Sequence, residues 1–171
     1  PAMIVGSVVD DSPGWGFVNH SSNVNMVSNV AYDVNGAAFV SEVGDEIGGF
    51  YSNLAIGTTG TNEEPDAREG IQDFGFRGDG FWFQGAGVSV VGNISAGNQG
   101  DAFAYYTRGL FQSEFLTKNL LDPSIAKGAP SIPVGQVPIR EFSGNVGYAS
   151  NVGLRLRYHL QEITQGQRSL V

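Results

Sequence analysis

Glycine constrains this chain more than any other feature: 25 of 171 residues, spread along the length without a collagen period. Glycines every few residues interrupt helices and serve turns with positive φ, bulges and close backbone approaches. Asparagine keeps them company, as in Asn35-Gly36, Asn98-Gln99-Gly100 and Gly144-Asn145. Between these breaks lie short runs of Val, Ile, Phe and Tyr, the residues that suit a pleated, half-buried surface. Charged residues make up only 15% and aromatics 11%, so the chain can bury a core and lacks the composition of a disordered one. The length suits one domain. The expectation is a mainly β, single-domain sandwich or barrel with one short helix and a proline-rich extended arm.

Strands are predicted at 3–9, 24–34, 37–43, 47–56, 71–77, 80–91, 101–108 and 152–163. In the second, Val24, Met26, Val30, Tyr32 and Val34 share one face, opposite Asn25, Asn29, Asp33 and Asn35. Asn35-Gly36 then reads as a tight hairpin turn. The last strand alternates most regularly: Val152, Leu154, Leu156, Tyr158 and Leu160 on a buried face, Arg155, Arg157, His159 and Gln161 on a polar one. Ser113 caps a predicted helix over 113–121 that Asp122-Pro123 ends. Residues 122–139 carry four prolines (Pro123, Pro130, Pro133, Pro138) and read as an extended arm. Its apolar anchors for a neighbouring subunit are Ile125, Ile132, Val134, Val137 and Ile139. The loop from Thr58 to Gly70 is acidic, with Glu63, Glu64, Asp66 and Glu69 around Arg68. Ser-Asn-Val recurs at 22–24, 28–30 and 150–152, and Gly-Asn-Val-Gly at 144–147 is echoed at 150–153. That reads as shared turn chemistry, too sparse for a propeller or solenoid period.

The net charge is −8, which disfavours nucleic acid and anionic membrane as partners. The charge is split: residues 1–76 sum to −10 and residues 77–171 to +2. Arg140, Arg155 and Arg157, with Arg168 nearby, therefore make a basic assembly surface that complements the acidic half. Absence of cysteine removes disulfides, thiolate nucleophiles and Cys-ligated zinc. The start of the chain has neither the basic nor the apolar region of a signal peptide, so synthesis in a cytoplasm is expected.

Catalytic patterns fail on spacing. His20 and His159 are the only histidines. Gly92-Asn93-Ile94-Ser95-Ala96-Gly97 does not have the Gly-x-Ser-x-Gly spacing of a nucleophile elbow. The acids at 10–11 and 63–69 sit in turns and not across a sugar-sized gap. Calcium is the cofactor that oxygen-rich loops would best suit, yet no Asp-x-Asp-x-Asp-Gly loop occurs, so no cofactor is expected. No enzyme emerges.

The stretch from Gly97 to Phe111, with its Gly-Asp turn, apolar strand and Thr-x-Gly ending, resembles the head decoration (cement) proteins of tailed bacteriophages. The resemblance implies a β-barrel or sandwich over capsomer junctions, a homo-oligomer with a trimer favoured, a major capsid or other virion protein as partner, and no catalysis. The alternative is a carbohydrate- or receptor-binding β-sandwich, a tail-fibre tip or lectin-like module. It would use Trp15, Trp82, Tyr105 and Tyr106 as a stacking platform.

Overall fold

The computed structural model describes residues 1–60, 76–107 and 114–160. Five coils stack on one another, each contributing one strand to each of three parallel sheets. Sheet A holds β1 (Ala2–Val5), β4 (Asn23–Val27), β7 (Ile47–Tyr51), β10 (Ser89–Val91) and β15 (Glu141–Ser143). Sheet B holds β2 (Val8–Asp10), β5 (Val30–Tyr32), β8 (Leu54–Ile56), β11 (Ile94–Ala96) and β16 (Val146–Tyr148). Sheet C holds β3 (Phe17–Asn19), β6 (Ala37–Ser41), β9 (Asp79–Phe83), β12 (Phe103–Tyr106) and β17 (Leu154–Arg157). The fold is a parallel β-solenoid. It is mainly β as expected, but neither a sandwich nor a barrel, because strands adjacent in sequence enter different sheets.

Two kinds of corner make this possible. Between sheets A and B the chain turns at Gly6, Ser28, Ser52, Gly92 and Gly144, all left-handed with φ between 54° and 67°. The next residue is Ser7 in the first coil and Asn29, Asn53, Asn93 and Asn145 in the others. Sheet B ends at a second left-handed residue: Asp11, Asp33, Gly57, Gly97 or Ala149. Gly, Ser, Asp and Ala all occupy these corners, so glycine alone does not mark them. Two left-handed residues five apart bend each coil around the interior.

The corners correct several sequence expectations. Strand 24–34 breaks at Ser28-Asn29, which resets the alternation: Ala31 points inward while Tyr32 is exposed. Asn29 is fully buried and not on a polar outer face. Strand 47–56 breaks in the same way at Ser52-Asn53. Asn35-Gly36 is not a hairpin, since β5 and β6 lie in different sheets and Asn35 bridges Thr59 in parallel. Of the helix expected at 113–121, the described part is β13 (Glu114–Leu116) and a 3-10 turn, Thr117–Asn119. β13 pairs antiparallel with β14 (Ser131–Pro133), so strand pairing overrides a weak helical preference. The acids expected at 63–69 and Arg168 lie outside the described residues.

The interior is layered by register. Phe17, Phe39, Phe81 and Phe103 stack with centroids 5.0, 4.8 and 4.9 Å apart. Met26, Phe50, Val90 and Phe142 form the facing row on sheet A. Ala31 and Ala55 keep sheet B close to both. The space is tight enough that Gly48, at φ +100°, could carry a Cβ only 2.1 Å from the Val24 carbonyl oxygen. The insertion after β12 closes a second core of Phe115, Ala126, Ile132, Val134 and Val137 against Ala86.

Candidate binding surfaces

The corner between sheets A and B positions everything on that flank. There Asn53 Oδ1 accepts from the backbone N–H of Asn29 (2.9 Å) and from its Nδ2 (3.0 Å). Asn93 does the same for Asn53, and Asn145 for Asn93. Each Nδ2 also donates to a carbonyl of the preceding coil: Ile4, Met26, Phe50 and Val90. Buried amides are tolerable because the ladder satisfies them. It also turns the neighbouring strand residues outward.

Three outward rows result. Val5, Val27, Tyr51, Val91 and Ser143 line the sheet A side; Val8, Val30, Leu54, Ile94 and Val146 form the middle; Tyr32, Ile56 and Tyr148 form the far row, with Ala96 buried between Ile56 and Tyr148. Val8 is 66% exposed, Tyr148 59%, Val146 50% and Ile94 40%. The only charge in these rows is Asp10, at one end. With coils about 4.8 Å apart, the ridge spans on the order of 400 Å², within the range of the largest apolar patch on an ordinary monomer. Sequence reasoning missed this ridge, because its residues read as ordinary strand interior.

The outer face of sheet C holds the aromatics proposed as a platform. Trp82 packs on Val40 and Ala104, with Trp15 and Tyr106 at its margin. Trp82 and Tyr106 stack at 5.9 Å, and Tyr158 meets Tyr106 edge-on at 5.1 Å. Trp82 is only 3% exposed, so this cluster is a packed layer and not an open shelf. Tyr105 points the other way, into the interior, where burial pushes its hydroxyl's pKa upward.

The expected basic surface is divided. Arg155 forks onto Asp101, its Nη2 lying 3.0 Å from Oδ1 and its Nε bonded to Oδ2, and this pairing raises its pKa further. It is therefore consumed within its own chain, while Arg157 is half-buried and Arg140 exposed. The apolar face predicted for the last strand keeps the register of inward-facing Phe103 and Tyr105, yet Leu154 and Leu156 are 42% and 46% exposed and not buried. The arm anchors are also taken. Ile132, Val134 and Val137 are buried in the insertion's own core, and Ile125 and Ile139 pack against it. Ile132, Val134 and Val137 thus pack within the chain's own core, while Ile125 and Ile139 stay half-buried.

Between that insertion and the solenoid lies a cleft of about 380 Å³, lined by Ile47, Phe115, Leu120, Val137, Ile139 and Arg140 among others. Glu46 borders it but is fully committed. Its carboxylate accepts from the N–H groups of Ser21, Val43 and Gly44 and from Ser41 Oγ, at 2.7–3.1 Å.

Among the described residues, acid–base chemistry does not converge. His20 Nδ1 lies 2.7 Å from Glu42 Oε2, and that bond holds its pKa above the ordinary value. The pair is exposed, and Ser22 Oγ donates to the His20 carbonyl and not to the ring. His159 has both ring nitrogens buried without a hydrogen-bond partner, and burial lowers its pKa. Asp79, stacked below Asp101, is raised to about 6, chiefly by burial. Among the described residues, no three His, Asp or Glu side chains gather in a metal-binding group, and no helix is long and apolar enough to cross a membrane. No family model, curated protein or solved structure matches this chain.

Proposed function

We propose that this chain is a non-catalytic structural subunit that anchors to another protein of a larger particle, a virion being the setting implied by the sequence resemblance. The observation that carries the reading is the apolar ridge over the asparagine ladder, whose single charge is Asp10 at one end. The ladder fixes the ridge rigidly, so docking costs little ordering entropy. The ridge against a partner accounts for roughly 800 Å² of total buried area, so surface around it must also join the contact to reach the ~1,000 Å² of a stable interface. The barrel over capsomer junctions forms no part of this reading, since the fold is a solenoid. The carbohydrate-platform alternative is weaker because Trp82 is closed off.

The test is co-sedimentation of the purified chain with particles from its source, comparing wild type with Ile94→Lys and Val146→Lys. Both sites are exposed, so each variant should keep the wild-type melting temperature and lose particle binding at least tenfold. Binding retained by both variants, or a wild type that binds glycans and no particle, overturns the proposal.

A further inference from the structure

Where the chain passes from sheet C back to sheet A, the segments before β7, β10 and β15 lie on one flank, and the insertion packs beside them. Their boundary is the cleft of about 380 Å³, a size that suits a small organic ligand. Its apolar wall comes from both sides: Ile47 and Ile139 from the solenoid, Phe115, Leu120 and Ile125 from the insertion. Of these, only Phe115 is fully buried, so the other four keep apolar surface that the second core does not cover. Gly44 makes room for Phe115: a Cβ there would stand 3.0 Å from Phe115 Cζ, and its φ of +113° favours glycine.

The charged groups on the lining differ in what they already hold. Glu46 has its four donors, and the Asp122 carboxylate accepts from the N–H and the hydroxyl of Ser124. Asp45 is short of donors. Its Oδ2 accepts from Asn119 Nδ2 at 3.2 Å, while Oδ1 is buried with no hydrogen-bond partner among the described residues. A buried carboxylate oxygen left without a donor is costly, and a ligand that brings a donor to that carboxylate recovers part of the cost. Arg140 is the one base on the lining against three carboxylates, so the cleft is net negative.

From this combination we infer that the cleft binds a small organic cation, an alkyl or aryl group bearing a primary ammonium. The apolar group lies along Ile47, Leu120, Ile125 and Ile139. The ammonium sits at Asp45 and brings three N–H donors to a carboxylate that Asn119 alone does not satisfy. A ligand with a carboxylate in its place meets Asp45 and Asp122 and is repelled. Binding here goes beyond anchoring through the ridge, which lies on the flank between sheets A and B.

The probes n-octylammonium, octanoate and 1-octanol share one chain and differ in charge. By calorimetry n-octylammonium should bind the wild type with a sub-millimolar Kd, and octanoate and octanol at least tenfold more weakly. It should also shift the amide resonances of Gly87, Asn119 and Leu120. Asp45→Asn keeps the side chain's size and should weaken n-octylammonium at least tenfold. Arg140→Gln, at an exposed site, should tighten it, which loss of folding would not do. No n-octylammonium binding, octanoate binding as tight, unchanged affinity in Asp45→Asn or lowered affinity in Arg140→Gln overturns the inference. Ile94→Lys should leave the Kd unchanged, so failure of the ridge and failure of the cleft are told apart.

Discussion

Asn93 Oδ1 accepts both the backbone N–H and the side-chain Nδ2 of Asn53, at 2.9 and 3.0 Å, so one buried oxygen ties two coils 40 residues apart in sequence. Removing a middle rung breaks bonds above and below it. Asn53→Ala should cost about 3–5 kcal/mol in chemical denaturation, since it strands buried donors and acceptors on both sides. Asn29→Ala should cost less, because the Asn29 oxygen takes only the Ser7 N–H. Equal losses at the two sites would show that the ladder does not act rung by rung.

Asp79 makes stability depend on pH with an unusual sign for a carboxylate. Its folded pKa, about 6, lies above the ordinary 3.8. Below 3.8 both folded and unfolded states hold the proton, and there is no penalty. As pH rises from there to 6, the unfolded state releases the proton first and stability falls, by up to about 3 kcal/mol. Asp79→Asn should therefore stabilise the protein at neutral pH and do nothing in acid. Urea denaturation of both proteins across that range measures it.

The two histidines should titrate on opposite sides of the ordinary 6.5. His20 is raised by Glu42 and His159 lowered by burial. The His20 pair adds a little stability below 6.5 that is lost as pH rises through its folded pKa, and its exposure keeps the effect small. His159 works the other way: falling pH protonates the unfolded state first and destabilises the fold. Proton NMR of the ring resonances, with Glu42→Gln returning His20 toward 6.5, reads both. A His159 pKa at or above that of His20 would contradict the structure.

Arg155 and Arg157 are not equivalent. Arg155→Glu sets a second carboxylate against the buried Asp101 and should destabilise the chain by about 2–4 kcal/mol. Arg157→Glu has no such partner among the described residues and should change stability by under about 0.5 kcal/mol. Thermal melts separate the two cases, and a double reversal tests the fold before it tests any interface.

By itself the sequence determined the β class, and the reason is local. Closely spaced glycines with asparagines beside them rule out long helices, and the Val, Ile, Phe and Tyr runs between them are strands wherever they are placed. It also displayed the corners without their meaning, as the Ser-Asn-Val and Gly-Asn-Val pieces at 28–30 and 144–146. The ladder residues are separated by 22, 24, 40 and 52 positions, so insertions hide any fixed period. Only the tertiary structure decided that these turns lie directly above one another. Alternation shows which residues share a face within one strand, but a left-handed corner restarts the count and reassigns inside and outside. That restart buried Asn29 and Asn53, exposed Tyr32 and placed the ridge outward. Likewise, whether Leu154 and Leu156 are core depends on a coil above them, and a sequence pattern records the face but not its cover.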